Sequence, residues 1–186
     1  QRERFQKAKA VVVSANGAET PRLLLMSANE MFPQGLANSS GLVGKYLMWN
    51  FTTRTHATFE HELNEFKSVQ CSRVVHDFYD SDPRRGFYGG GGIDSRIGPQ
   101  PIVWADRLAD DEQLWGSAYK KRLADFPRMM QAAAHGTSLP LETNSVELDP
   151  ELKDAWGMPA MRITYNDHPD DLALMRFLQA RAAEIM

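Results

Sequence analysis

The chain has 186 residues and a formal net charge of −3, and its 42% hydrophobic residues are enough to form a packed core. A negative net charge with scattered Lys and Arg residues excludes a dedicated electrostatic surface for nucleic acid or anionic membrane. Apolar runs of only a few residues exclude a membrane-spanning helix, and the lone Cys71 excludes an internal disulfide and a cysteine metal cage.

The first predicted elements are a strand at residues 11–13 and a helix that follows it. Three consecutive valines are typical of a strand buried on both faces of a parallel sheet. Gly17 ends this strand. Thr20 and Pro21 then predict the helix start, because a Thr hydroxyl caps exposed amides and Pro at the first helical position loses no hydrogen bond. Residues 23–26 give this helix its apolar cover.

A strand, turn and helix start of this kind can bind a dinucleotide, because the first backbone amides of the helix carry partial positive charge. The alternative is an ordinary connection in a doubly wound sheet. This turn lacks the three-glycine fingerprint, and the Glu19 carboxylate would repel a pyrophosphate. By itself, the segment therefore favours the ordinary connection.

The central part of the chain is predicted to be a loop followed by antiparallel strands. Residues 32–50 are rich in Gly, Asn and Ser, which predicts an irregular loop with a short helical turn at 43–47. From residue 51 the pattern alternates, and one face carries Phe51, Thr53, Thr55, Ala57 and Phe59. Further strands are predicted at 68–78, 93–97 and 102–105. A parallel start followed by antiparallel strands indicates an α+β protein with two layers or domains.

Four consecutive glycines, Gly89 to Gly92, lie between two of these strands. One interpretation is a backbone segment that approaches a ligand closely or adopts positive φ. The other, slightly favoured, is a tight bulge or a loose hairpin tip.

The last third of the chain is predicted to alternate between helices and strands. A helix at 110–126 begins acidic and ends basic, as its dipole favours. Strands follow at 129–134, 145–148 and 161–165, with a short turn-helix at 149–156 closed by Gly157. A final helix from His168, capped by Asp167, has an apolar stripe formed by Leu172, Met175, Leu178, Ala182 and Ile185. Because the polar start and the apolar end of the chain both interrupt a pattern, we expect the parent sequence to continue on both sides.

The sequence offers no catalytic residue or metal ligand of its own. The five histidines do not have the spacing of a metal site. A triad around His76 and Asp77 has no accompanying nucleophile motif. Glu142 and Asn144 are either a polar pair facing a cavity or, more simply, a solvated strand edge. The four tryptophans, Trp49, Trp104, Trp115 and Trp156, are expected to be mostly packed rather than to form a sugar-stacking platform.

Three segments resemble the glucose-methanol-choline (GMC) family of FAD-dependent oxidoreductases. They read ANGAETPRLLLMS from Ala15, GLANSSGLVGKYLM from Gly35 and ETNSVELDPELKDAWGMPAMRITYNDHPDD from Glu142. The last resembles the branch containing gluconate and related sugar dehydrogenases. The chain departs from the common family signature by one residue fewer before Thr20 and by Ala28 after Ser27, where the family has a Ser-Gly pair.

The resemblance implies a fold, a cofactor and a set of site residues. Residues 1–50 would be the end of a Rossmann-like FAD-binding domain, 51–165 an antiparallel-sheet substrate-binding domain with flanking helices, and 166–186 a helix leading toward a C-terminal catalytic segment. Ala15, Asn16, Gly17 and, more weakly, Thr20 would line the FAD site. The catalytic base would lie outside these residues, and the chain alone would be inactive.

The implied reaction is hydride transfer from a hydroxyl-bearing carbon of a sugar, sugar acid or alcohol to the flavin, with a base removing the hydroxyl proton. The partners would be this substrate, the rest of the parent polypeptide and an electron-acceptor subunit, in the cytoplasm or the periplasm. A non-catalytic α+β ligand-binding module is the alternative. A metal hydrolase is a third hypothesis, and it requires converging His and carboxylate ligands.

Overall fold

The computed structural model describes residues 4–97, 101–107 and 115–186 of the chain. Its helices are α1 (Asn16–Met26), α2 (Pro101–Arg107), α3 (Gly116–Ala124) and α4 (Pro169–Ile185). Its strands are β1 (Asn50–Thr58), β2 (Cys71–Val75), β3 (Gly91–Ile97), β4 (Met129–Thr137), β5 (Ser145–Lys153) and β6 (Pro159–Thr164). Short 3-10 turns lie at Glu65–Lys67, Pro83–Arg85 and Phe126–Arg128.

These elements form two compact units. Unit 1 comprises the described residues up to Met48 together with Pro140–Asn166, and contains α1, the loop after it and the β5–β6 hairpin. Unit 2 comprises the described residues of Trp49–Leu139 together with Asp167–Met186. The predicted division at residues 50 and 165 concerns the functional domains of a parent enzyme and stays a prediction.

Unit 2 is a four-stranded sheet with the order β1-β4-β3-β2, in which each neighbouring pair is antiparallel. The alternation predicted from residue 51 is confirmed, since Phe51, Thr53 and Thr55 are half-buried while Thr52 and Arg54 are exposed. Helix α4 covers one face of this sheet. Its residues Leu174, Leu178 and Ala182 join a buried cluster that also includes Ile93, Ala132 and Ala134. The antiparallel, α+β part of the predicted fold is therefore confirmed.

The opposite face of the sheet, here called the open face, carries the side chains that alternate with that core. Its β1, β4 and β3 positions include Thr52, Arg54, Ala133, His135, Asp94 and Arg96. Near Met129, the end of this face is covered by Trp104 of α2 and by Tyr119 and Leu123 of α3. The other end carries polar side chains.

A buried carboxylate holds the start of α4. Asp171 is 2% exposed. Its Oδ1 accepts from the Leu139 amide at 3.0 Å, and its Oδ2 accepts from the His168 amide at 3.2 Å. The helix cap is His168, whose Nδ1 accepts from the Asp170 amide, so the predicted cap at Asp167 is wrong. The predicted apolar stripe is confirmed at Leu178 and Ala182 and wrong elsewhere. Leu172 and Ile185 are exposed, Met175 is only half-buried, and Leu174 is buried instead.

The predicted strand at residues 11–13 is wrong. The Val11 and Val12 side chains are 82% and 85% exposed, and the segment pairs with no strand in the described part of the chain. A buried parallel strand needs backbone partners on both sides, and β-branched side chains cannot replace them. The Rossmann-like architecture that this strand was to represent stays a prediction.

Several local predictions also fail. Residues 43–47 contain a turn and a single bridge from Lys45 to Ser145 instead of a helical turn. The predicted strand at 102–105 is part of helix α2. The predicted turn-helix at 149–156 is the far end of β5 and the tip of the hairpin.

Two further predictions have mixed outcomes. The helix predicted at 110–126 is found as α3 from Gly116 onward, while residues 110–114 lie outside the described residues. Trp104 is buried, but the other three tryptophans are exposed, so the expectation that most are packed is wrong.

Candidate functional site

Arg22 brings together two of the segments that resemble the oxidoreductase family. This residue lies in the Thr-Pro-Arg-Leu-Leu part of α1, and its Nη2 contacts Asp154 Oδ2 at 2.8 Å in the β5–β6 hairpin. Its Nε and Nη2 also donate to the Pro159 carbonyl at 3.0 and 2.8 Å. Asp154 and Pro159 belong to the Asp-Ala-Trp-Gly-Met-Pro sequence. Motifs more than a hundred positions apart in the sequence therefore meet through one guanidinium group.

The third segment contacts the same hairpin. Gly44 has a φ of +83°, and a Cβ atom at this position would lie 2.1 Å from the Val146 carbonyl oxygen. The Val146 amide donates to the Gly44 carbonyl at 2.7 Å, and Lys45 Nζ contacts Glu147 Oε1 at 2.8 Å. Only glycine allows this backbone approach. The first two segments and residues 142–166 of the third are thus neighbours within unit 1.

The structure brings the four predicted cofactor residues together at the start of α1. The helix begins at Asn16, not at Thr20 as predicted, and Pro21 lies inside it. Asn16 Oδ1 accepts from the amides of Ala18 and Glu19, each at 2.9 Å, and Thr20 Oγ1 accepts from the Ala15 amide at 3.0 Å. Asn16 supplies the cap that Thr20 was expected to provide.

This arrangement determines how the helix start can meet a cofactor. The amides of Ala15, Ala18 and Glu19 already donate to side chains of the helix itself, so they do not form a free phosphate cradle. Residues 15–17 are exposed, and a Cβ atom on Gly17 would meet nothing within 4 Å. The start of α1 is therefore an exposed backbone surface and not a cradle for a pyrophosphate.

Charges around α1 are paired. The Glu19 carboxylate contacts Arg22 Nη1 at 3.2 Å, which offsets the negative charge that argued against a cofactor here. The hydrogen bond from Arg22 lowers the pKa of the Asp154 carboxyl below its ordinary value. Hydrogen bonds from Lys45 and then Arg162 lower the pKa of Glu147 in the same way. These carboxylates are therefore ionised at neutral pH.

In unit 2, a polar cluster occupies the open face of the sheet. The Asp94 carboxylate forms a two-bond pair with Arg96, at 2.6 and 2.9 Å. Its Oδ2 also lies 2.9 Å from His135 Nε2, and the other ring nitrogen, Nδ1, lies 3.1 Å from Thr52 Oγ1. Three adjacent strands thus hold one imidazole in a fixed orientation.

The contacts at His135 Nε2 require opposite roles. Asp94 Oδ2 requires a proton on this nitrogen, whereas Arg96 Nη2, at 2.8 Å, requires its lone pair. The ring therefore makes one of these hydrogen bonds at a time, and the choice sets the tautomer. The arrangement places the imidazole beside the Asp94–Arg96 ion pair.

Sequence reasoning missed Arg22 and the cluster of Asp94, Arg96 and His135. Alternation within β3 places Asp94 and Arg96 on one face, which was a usable signal, but the pairing with β4 was not predictable locally. Both interpretations of Asn144 are also corrected. This residue is 1% exposed and exchanges hydrogen bonds with the Asn166 backbone, so it faces neither a cavity nor solvent.

Across residues 4–97, 101–107 and 115–186, no three His, Cys, Asp or Glu side chains converge as metal ligands would. Within the same ranges, every helix is too short or too polar to span a bilayer.

The chain is similar to three named dehydrogenases. It is 39% identical over 174 residues to 2-methyl-1,2-propanediol dehydrogenase of Mycolicibacterium austroafricanum, covering 91% of the chain and 32% of that protein. It is 32% identical over 167 residues to the fructose dehydrogenase large subunit of Gluconobacter japonicus, covering 86% and 29%. It is 25% identical over 192 residues to the gluconate 2-dehydrogenase flavoprotein of Pantoea cypripedii, covering 99% and 31%.

The chain therefore spans about a third of the length of the curated relatives that it matches. No protein-family model matches it.

Proposed function

We propose that this chain is part of a GMC-type, FAD-dependent oxidoreductase that oxidises a hydroxyl group of a sugar, sugar acid or alcohol. The observation that carries the proposal is the meeting of three family-like segments in unit 1 through Arg22, Gly44 and Lys45. Residues that resemble a family only by chance have no reason to contact one another. Similarity to three named dehydrogenases, one of them a flavoprotein, supports the same conclusion.

In this proposal the start of α1 forms one wall of the cofactor site. Ala15, Asn16 and Gly17 offer an exposed backbone surface, and Thr20 fixes that surface through the Ala15 amide. Arg22 neutralises Glu19 and ties the helix to the hairpin. When bound, FAD supplies the hydride acceptor. The phosphate-binding loop and the catalytic base belong to other parts of the parent protein.

The open face of the unit 2 sheet provides the substrate wall in this proposal. Its Thr52, His135 and Asp94 side chains offer fixed hydrogen-bonding groups on rigid strands, as an oriented substrate requires. An electron-acceptor subunit is proposed as a partner, because one relative is named a large subunit and another a flavoprotein.

The test is the absorption spectrum of the full-length protein that contains this chain. We expect flavin bands that bleach without oxygen when a 1,2-diol or a sugar is added. A variant pair sharpens the assignment to α1. Gly17→Val places a branched side chain on the proposed cofactor wall and is expected to lower flavin occupancy, whereas Ser95→Val, on β3 in unit 2, is expected to leave it unchanged.

A full-length protein that binds no flavin, even after incubation with FAD, contradicts the proposal. Such a protein that still binds a small ligand identifies the chain as the non-catalytic binding module instead. Flavin binding with equal occupancy in Gly17→Val contradicts the role of α1 alone.

A further inference from the structure

The four consecutive glycines differ in what requires them. Gly89 has a φ of +109°, a backbone conformation that favours glycine. A Cβ atom on Gly90 would lie 2.0 Å from the Tyr79 carbonyl oxygen, and one on Gly91 would lie 2.1 Å from the His135 carbonyl oxygen. These contacts are with backbone, so the close packing of the chain itself requires glycine at both positions.

Gly92 is different. A Cβ atom there would lie 3.4 Å from His76 Cδ2 and 3.5 Å from Val74 Cγ1, which are ordinary van der Waals distances. Its φ is not positive. Glycine within a strand costs about 0.5–1 kcal/mol relative to alanine. Packing within the chain therefore does not require glycine at position 92, where the backbone borders an open space.

That space is a cavity of about 290 Å³ on the open face of the sheet. The polar side chains that line it are Asn50, His76, Tyr79, His135 and Thr137. Its described lining contains no carboxylate, ammonium or guanidinium group. A cavity of this size and lining suits an uncharged ligand of a few carbons with several hydroxyl groups.

The groups that face the cavity have unused hydrogen-bonding capacity. Within the described residues, the His76 imidazole makes a ring contact with Tyr79 at 5.8 Å and no hydrogen bond. Tyr79 is 66% exposed, so its hydroxyl and its ring face are both accessible. An imidazole and hydroxyls can each donate and accept, which matches alcohol groups, and an aromatic face covers C–H bonds.

We infer that this glycine-floored cavity is the binding site for an uncharged polyol or sugar, and that Gly92 is glycine so that the ligand can lie directly on β3. The inference rests on the proposed function for its reaction, and it selects neutral polyols over sugar acids. A carboxylate placed here would lose hydration, and the described lining has no ammonium or guanidinium group to compensate for that loss.

The test compares sorbitol with gluconate, which have the same six-carbon chain and differ at one end by an alcohol in place of a carboxylate. Binding to the full-length protein is measured by titration with saturation-transfer NMR, which observes the ligand and does not depend on turnover. We expect tighter binding of sorbitol. Gly92→Ala is expected to weaken it about tenfold, since an added methyl group in a fitted pocket has an effect of this size.

Two other variants keep the test decisive. His76→Gln changes an exposed residue and is expected to weaken sorbitol binding about tenfold, through the loss of one hydrogen bond in the fitted geometry. Ser95→Ala, on the opposite face of β3, is the matched control and is expected to bind like the wild type. If Gly92→Ala does not fold, His76→Gln against Ser95→Ala decides the matter.

Unchanged sorbitol binding in Gly92→Ala and His76→Gln overturns the inference, as does gluconate binding at least as tight as sorbitol binding. The flavin spectrum of the same preparations separates this failure from a failure of the proposed function. If the protein binds flavin and oxidises an alcohol, but Gly92→Ala binds sorbitol like the wild type, only the assignment of the cavity is overturned. If the protein lacks flavin, but Gly92→Ala weakens its binding of sorbitol, only the proposed oxidoreductase function is overturned.

Discussion

Each of the two units of this chain is stabilised internally by a different kind of interaction. Unit 2 has an apolar core in which Leu174 and Leu178 of α4 are at most 1% exposed against the sheet. In unit 1, helix α1, which is described over its whole length, contributes no buried residue, and Arg22 joins it to the hairpin through the Asp154 ion pair and hydrogen bonds to the Pro159 carbonyl. Directional polar contacts therefore fix α1 to a hairpin whose Val146 is buried, whereas apolar burial fixes α4 to the sheet.

The largest expected effect is in the core of unit 2. Leu178→Ala removes a fully buried side chain and leaves a cavity, so we expect the free energy of unfolding to fall by about 2–5 kcal/mol. Urea unfolding followed by far-ultraviolet circular dichroism measures it. Leu172→Ala, the same change on the same helix at a position that is 37% exposed, is expected to cost far less. Equal losses would show that α4 is not the core-forming helix.

A smaller and local effect is expected at Arg22. Arg22→Met keeps the length of the side chain and removes its bonds to Asp154 and Pro159, so hydrogen exchange of the β5–β6 amides is expected to accelerate. Arg22→Lys is expected to restore the protection only partly, because an ammonium lacks the planar fork that reaches both partners. Arg176→Met, an exposed position on α4, is the matched control. Unchanged exchange in Arg22→Met would remove the distinction between the units.

The same contact predicts a pH dependence. The folded-state pKa of Asp154 lies below its ordinary value of 3.8, so the contribution of this pair is complete above 3.8 and is lost as pH falls through the lower, folded value. We expect the hairpin amides to lose protection on acidification in that range. Asp154→Asn is expected to show weaker protection at neutral pH and a smaller acid effect. An unchanged acid profile would assign the effect to other carboxyls, such as Glu147.

The smallest effect is expected at the tip of the hairpin. Trp156 is 78% exposed, and Trp156→Ala is expected to change the free energy of unfolding by less than about 0.5 kcal/mol. The Oδ1 atom of Asp154 accepts from the backbone amides of Trp156 and Met158, and these bonds do not need the Trp156 side chain. The substitution therefore tests whether the Asp154 bonds alone are enough to order the tip. A destabilisation as large as that of Leu178→Ala would mean that apolar contacts also hold unit 1.

The sequence predicted those elements whose signal is local. The alternation that begins at Phe51 gave strand β1, and a capped, amphipathic pattern gave α4. The predictions failed where local signals are ambiguous. Residues 102–105 are a short apolar run that suits either a strand or a helix, and the folded chain places Trp104 in a helix against Tyr119 and Leu123.

The error at residues 149–156 has a clear physical origin. Asp149 Oδ1 accepts from the amides of Glu151 and Leu152, which is the hydrogen bonding of a helix cap. In the structure this pattern lies in the irregular stretch of β5 between Leu148 and Lys153, and pairing with β6 on both sides of that stretch keeps it in the hairpin. Arg22 was missed because its partners come from a distant hairpin and leave no local signal. The cofactor role of Ala15, Asn16, Gly17 and Thr20 stays a prediction.

The Asp171 carboxylate has a consequence for the order of folding. It accepts hydrogen bonds from the amides of Leu139 and His168, so it links the two ends of the chain segment formed by residues 140–166. Because this segment comes before α4, the helix that covers the sheet follows β1 in sequence by more than a hundred residues. Long sequence separation between contacting elements slows folding. During synthesis, the apolar face of the sheet stays uncovered until α4 has been made, and this interval is when unit 2 is most prone to aggregate.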